Sequence, residues 1–170
     1  MSFEITLILT PSFVKSNTSI HSNVDDNLIV PLIRDCQNLF VEPILGSGLF
    51  DEIISEVKAG SISALNTTLI DEYLIDVICN WVLARYIRQG SYKVTNKGTV
   101  NMSGDNATIS SKSELIETAQ IYLDNAEEYA QRTTLYLMEN ETDYPLYQTP
   151  PDGCDIIKPR RDNYETGFIL

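Results

Sequence analysis

Basic residues are scarce in this chain: twelve Lys and Arg stand against twenty-four Asp and Glu, a formal charge of −12. Nucleic-acid affinity in general comes from neutralising phosphates, so this balance argues against a general nucleic-acid binder. It suits a solvated surface, or a wall from which DNA is repelled. Cysteine is sparse too. The three, Cys36, Cys79 and Cys154, are odd in number and show no CxxC spacing. They point to a reducing compartment, with neither a disulfide framework nor a zinc site. The single histidine, His21, lies beside serines with no third group to orient it, which leaves nucleophilic catalysis without a frame. No apolar run approaches the ~20 residues that span a bilayer. The first residues lack the basic region of a secretory signal, so none is expected. The five Asn-x-Ser/Thr matches, at Asn17, Asn66, Asn101, Asn106 and Asn140, then read as chance rather than as glycosylation acceptors.

What is present is helical periodicity. In the stretch Thr68–Gln89 the apolar residues Leu69, Ile70, Tyr73, Leu74, Val77, Ile78, Trp81 and Val82 make one wide stripe. Asn66 or Thr67 is expected to cap it and Gly90 to stop it. So wide a stripe, holding the only Trp, predicts a central helix with partners on several sides.

Around it the chain divides into an N-terminal arm and loop (1–22), a helical domain (23–141) and an extended tail (142–170). Alternation at Phe3, Ile5, Leu7 and Leu9 suggests a short extended arm, ended by a turn at Thr10-Pro-Ser12. A second helix is expected from Ser22 or Asn23 to about Val41, kinked at Pro31, with Glu42-Pro43 breaking the chain after it. Gly46-Ser-Gly48 reads as a tight helix–helix turn with Ser47 as cap. It is not a phosphate cradle, since neither a GxGxxG nor a GxxxxGK[ST] pattern is present. Tyr92–Thr95 and Thr99–Met102 flank Asn96-Lys-Gly98 as a β-hairpin within an insertion at about 91–110. Ser111 with Glu114 is a capping box for a last helix, whose seam is Leu115, Ala119, Tyr122, Ala126, Tyr129, Thr133 and Tyr136. The expected fold class is all-α: an antiparallel helical bundle of about four helices with a β-hairpin insertion and extended N- and C-terminal arms.

The chemistry-bearing residues are few. Asp51, Glu52 and Glu56, and again Asp124, Glu127 and Glu128, cluster on helices, but the Glu-x-x-His of di-iron bundles is missing. A solvated acidic face is the reading, with no catalytic, cofactor or metal residue assigned. From Val77 to Gly104 there is no acid, while Arg85, Arg88, Lys93 and Lys97 all fall there. That local basic patch is a candidate partner surface beside its ordinary roles at a helix end and a hairpin edge. Tyr164, Phe168, Ile169 and Leu170 are the candidate anchors of the tail.

The runs Thr10-Pro-Ser-Phe13, Asn23-Val-Asp-Asp-Asn-Leu-Ile-Val-Pro-Leu-Ile33, Glu42-Pro-Ile-Leu-Gly46 and Gly48-Leu-Phe50 resemble the head–tail connector (adaptor, head-completion) proteins of tailed bacteriophages. The likeness is greatest to those of crAss-like and other Bacteroidetes phages. Tyr92-Lys-Val-Thr-Asn-Lys-Gly98 and the Tyr-rich last helix add to it, over roughly residues 10–140. The resemblance implies an all-helical virion protein, usually twelve copies in a ring beneath the portal. Such a ring extends the DNA channel without gripping DNA and docks neck or tail proteins; it implies no enzyme activity and no membrane. Another neck or tail protein, such as a stopper or tail terminator, or a small helical protein-binding module, stays open as the alternative.

Overall fold

The first described residues fold inward. Ile8 and Leu9 are buried, Ile8 N–H donates to Gln37 Oε1 at 2.7 Å, and Gln37 Nε2 donates to the Thr6 carbonyl at 3.3 Å. The computed structural model describes residues 5–90, 92–95, 98–101, 112–148 and 157–160, and among these the chain is mostly helical. Thr10 does not end an arm in a turn. It accepts from Phe13 N–H and starts α1 (Pro11–Ser16), with Pro11 in the first turn, where its missing donor costs nothing. Six residues are too few to display a helical period, so the sequence pattern could not reveal this helix.

Asp25, not Ser22 or Asn23, caps α2 (Asp26–Cys36), its carboxylate accepting from Asn27 N–H at 3.0 Å. Pro31 lies inside α2. The chain then passes through a π-helical turn (Gln37–Val41) directly into α3 (Glu42–Leu45). Glu42-Pro43 therefore does not break the helix. The wider turn before it already interrupts the i→i−4 ladder, so Pro43 falls in a fresh first turn.

The break comes at Gly46, with φ 76° and ψ 153°, a backbone region essentially restricted to glycine. It leads into α4 (Ser47–Ala59), which closes on Gly60 in the left-handed conformation. Ser47 is not the cap. It is the first helical residue, and its hydroxyl donates to Glu42 Oε1 at 2.8 Å.

The central element starts earlier than the apolar stripe suggested. Ser63 caps α5 (Ala64–Leu69), a second π-helical turn (Ile70–Leu74) follows, and α6 (Ile75–Gly90) completes it. Next, β1 (Tyr92–Thr95) and β2 (Gly98–Asn101) pair antiparallel, with Tyr92 opposite Asn101 and Thr95 opposite Gly98. Residues 96–97 and 102–111, with most of the expected insertion and the Ser111 cap, lie outside the described residues. The last long helix is α7 (Lys112–Glu139), and α8 (Pro145–Gln148) follows.

The helical runs 26–45, 47–59, 64–90 and 112–139 supply most of the core, and Val14 of α1 and Tyr147 of α8, two helices the sequence pattern did not reveal, add to it. Leu69, Leu74, Val77, Ile78, Val82 and Ala84 are sealed from solvent, and Trp81 is 4% exposed. α7 lies along α6 with Ala119, Ala126, Ala130 and Thr133 buried, so the small-residue seam is spent inside the chain's own core. Each fully buried Val, Leu or Ile in this core contributes roughly 1.5–3 kcal/mol.

The tail needs correction. Tyr144 and Tyr147 are buried, Tyr144 Oη donates to the Leu65 carbonyl at 3.0 Å, which ties the residue before α8 to α5, and α8 itself packs against α4. The segment 142–148 is thus part of the body, because each of these aromatic rings buries a large apolar surface. Residues 157–160 return to the Gly46 corner. Ser47 N–H donates to the Ile157 carbonyl at 2.9 Å, Ile157 N–H donates to Ser47 Oγ at 3.0 Å, and Arg160 N–H donates to the Pro43 carbonyl at 3.0 Å. We call these residues the clasp.

Two stability predictions follow from this packing. Trp81→Ala is expected to lose ~3–5 kcal/mol, as deletion of a buried aromatic does; chemical denaturation with an unchanged midpoint would contradict it. Gly46→Ala places a methyl 2.7 Å from Pro159 Cδ on a backbone that L-residues avoid. It is expected to cost about 1–3 kcal/mol in a melt, with Arg160 N–H losing its hydrogen-exchange protection.

Candidate functional site

Of the basic patch expected from sequence, the described side chains are those of Arg85 and Arg88. Arg85 lies one turn before Arg88 on α6, and both are half-buried. The Arg85 guanidinium sits over the Trp81 ring, 4.6 Å from its centroid, an arrangement that favours a cation on an aromatic face. Arg88 donates to Gln120 Oε1 at 3.0 Å, and Gln120 in turn donates to Asp124 Oδ1 at 2.7 Å. The Nε atoms of both arginines are buried without a partner among the described residues. Both side chains therefore lie against their own fold rather than standing free for a partner. Lys93 is on β1, and Lys97, Tyr164, Phe168, Ile169 and Leu170 lie outside the described residues. Among the described residues, Arg85 and Arg88 are the two that come together.

A surface cleft of about 390 Å³ lies beside this region, between the end of α1, α6 and α7. Asn17, Thr18, Ser19, Cys79, Asn80 and Tyr122 are among its lining residues. Burial, and then the Asp76 carboxylate, push the Cys79 thiol up to about 11, so it is protonated at neutral pH and a poor nucleophile. Cys36 lies well above the ordinary thiol range, raised by burial first and then by Cys79, against a smaller lowering from Arg85. Asn80 Nδ2 donates to the Asp76 carbonyl at 2.8 Å and is engaged within its own helix.

His21 Nδ1 accepts from Asn23 N–H at 3.2 Å, a contact within its own turn. Asp124, Glu127 and Glu128 are exposed, and no group of three or more His, Cys, Asp or Glu poised for a metal occurs among the described residues.

Two polar arrangements escaped the sequence reading. Lys15 Nζ donates to the Ser22 and Val24 carbonyls at 3.2 and 2.9 Å and pairs with Asp26 at 2.6 Å, which ties the loop 17–25 back to α1. No local pattern signals that, because its partners are mostly backbone carbonyls. The second is a tyrosine stack. Tyr73 and Tyr136 stack at 4.1 Å between centroids, Arg132 covers Tyr73 at 5.1 Å, and Tyr144 meets Tyr136 edge-on at 6.0 Å. Burial, then the hydrogen bond with Tyr136, hold the Tyr144 hydroxyl above its ordinary range, so it stays a donor to Leu65. The abundance of tyrosine on α7 was its only signal.

A family model described as a family of unknown function, DUF6712, matches residues 41–157, and the chain belongs to that family. No curated protein and no solved structure matches it. The matched span opens in the turn before α3 and closes at Ile157, the residue whose backbone returns to Ser47. The two ends of the family's span thus meet in one corner.

One carboxylate here predicts a pH response. Glu56 Oε2 accepts from Asn66 Nδ2 at 2.8 Å and from both Ser63 N–H and Ser63 Oγ, joining α4 to the start of α5. The Asn66 bond, more than those from Ser63, lowers its pKa below the ordinary carboxylate value. A depressed acid contributes stability that is full above its unfolded pKa and is lost as pH falls through the folded one. Glu56→Gln is therefore expected to lower the melting temperature at pH 7. The gap from wild type should close on acidification below the usual glutamate range; a gap that holds at every pH would contradict the assignment.

Proposed function

We propose that this chain is a structural virion protein of a tailed bacteriophage, an adaptor subunit at the head–tail junction. In this reading about twelve copies form a ring on the portal, extend the DNA channel and offer a docking surface to neck and tail proteins. The subunits are assembled in the cytoplasm of the bacterial host. The role is architectural, with no catalytic residue, cofactor or membrane involved. As a finer reading of the fold, the long helices form an antiparallel bundle from which β1 and β2 project as a hairpin.

The observation that carries the proposal is the place of the residues that resemble connector proteins. They are the corner pieces of this fold: Thr10 caps α1, Asp25 caps α2, Glu42–Leu45 form α3 and Gly46 makes the turn, and Gly48, Leu49 and Phe50 are buried at the start of α4. The formal charge of −12 suits a channel wall, since like charges repel and DNA slides past without being held.

Mixing the purified chain with the portal and imaging by cryo-electron microscopy tests this. A ring of subunits added to the portal is expected, and reversal of Lys93 and Lys97 to Glu is expected to weaken attachment without unfolding the subunit, because surface charges register interfaces more than they stabilise folds. A portal that stays bare would overturn the adaptor reading. Single copies bound to a tail protein would favour a stopper, a tail terminator or a helical binding module.

A further inference from the structure

One side of α7, the longest helix of the body, is uncovered among the described residues. Glu117, Ile121, Asp124, Glu128 and Leu135 recur there in steps of four, three, four and seven, which keeps them on one face; Arg132 falls between the last two, its guanidinium engaged over the Tyr73 ring. All five are exposed, Ile121 at 59% and Leu135 at 50%. This stripe lies opposite the buried Ala119, Ala126 and Ala130. No Lys or Arg among the described residues forms an ion pair with Glu117, Asp124 or Glu128.

The clasp carries the complementary chemistry. Ile157 is 39% exposed, Lys158 and Arg160 are exposed, and Arg161 follows in the sequence. In a chain of formal charge −12, this is a dense run of cations. The backbone bonds to Ser47 and Pro43 hold it at a fixed place on the body. Beyond Arg161 the sequence supplies Tyr164, Phe168, Ile169 and Leu170. An extended chain from Arg160 to the last of these reaches up to ~33 Å. The stripe from Glu117 to Leu135 runs ~27 Å at the helical rise. Cations followed by apolar groups thus meet acids interspersed with apolar groups over a matching length. Because α3, which holds the clasp, also packs against α7, contact within the same copy is the competing arrangement that the test below separates.

From these observations we infer that the clasp and the C-terminal segment of one copy dock along the outer face of α7 on a second copy. The contact is heterologous, joining two different surfaces, and repetition of such a contact closes into a ring when the rotation allows. The inference rests on the ring reading above and names the surfaces that would build it.

A charge swap tests it on the full chain. Lys158→Glu with Arg160→Glu, and separately Glu117→Lys with Glu128→Lys, are each expected to weaken self-association about tenfold in sedimentation runs. An equal mixture of the two variants is expected to recover most of the wild-type association, since each then supplies the surface the other lacks. Both pairs are exposed and are expected to melt as wild type. Wild-type association that ignores both reversals overturns this docking and leaves the ring reading standing. A wild-type chain that stays monomeric at millimolar concentration, alone and with the portal, overturns both. A monomer whose α7 stripe gains hydrogen-exchange exposure only when Lys158 and Arg160 are reversed places the segment on its own copy, and overturns the docking.

Discussion

Everything in this fold depends on how closely α7 approaches α6. Alanines at 119, 126 and 130 and the locally bonded Thr133 let the two helices lie against each other along most of their length. With that contact made, α6 has one side left for α2, and Cys36, Leu32 and Ile33 fill it. A larger residue in the α7 seam would hold the helices apart and loosen the packing around Trp81. Close packing of this kind leaves little slack for compensation elsewhere.

The polar groups are used as fasteners. Gln37 binds the backbone at 6–8, Lys15 gathers a loop, Glu56 joins α4 to α5, and Tyr144 secures α8. Each joins segments that apolar burial alone would leave adjustable, and each uses a hydrogen bond whose geometry admits one arrangement. A subunit that must present the same faces in every copy needs that kind of definition. This is the physical sense in which the molecule suits the architectural role proposed above.

Much of the helical architecture was legible because periodicity survives in long elements. The stripe from Leu69 to Val82 located the central helix, and the seam from Ala119 to Thr133 located the face of α7. Short elements were not legible. Pro11–Ser16 and Pro145–Gln148 contain fewer than two turns, and what fixes them is tertiary: a cap at Thr10, and burial of Tyr144 and Tyr147. The two π-helical turns were hidden for another reason. Each adds a residue to a turn, so a strict step of three and four drifts off the true face, and Pro43 looked like a stop where the helix goes on. Of the candidate interface, Arg85 and Arg88 were visible as charge, but a sequence does not show that Trp81 and Gln120 lie beside them. The clasp was invisible too, because it joins residues over a hundred positions apart.

The clasp also decides where mechanical force enters the subunit. A pull on the chain beyond Arg160 reaches the backbone bonds at Pro43 and Ser47 before it reaches α7 or α8. Those bonds act together on one stiff corner, wedged by Pro159 against a residue too small to be pushed aside. Tension arriving through the C-terminal segment therefore loads the α3–α4 elbow first.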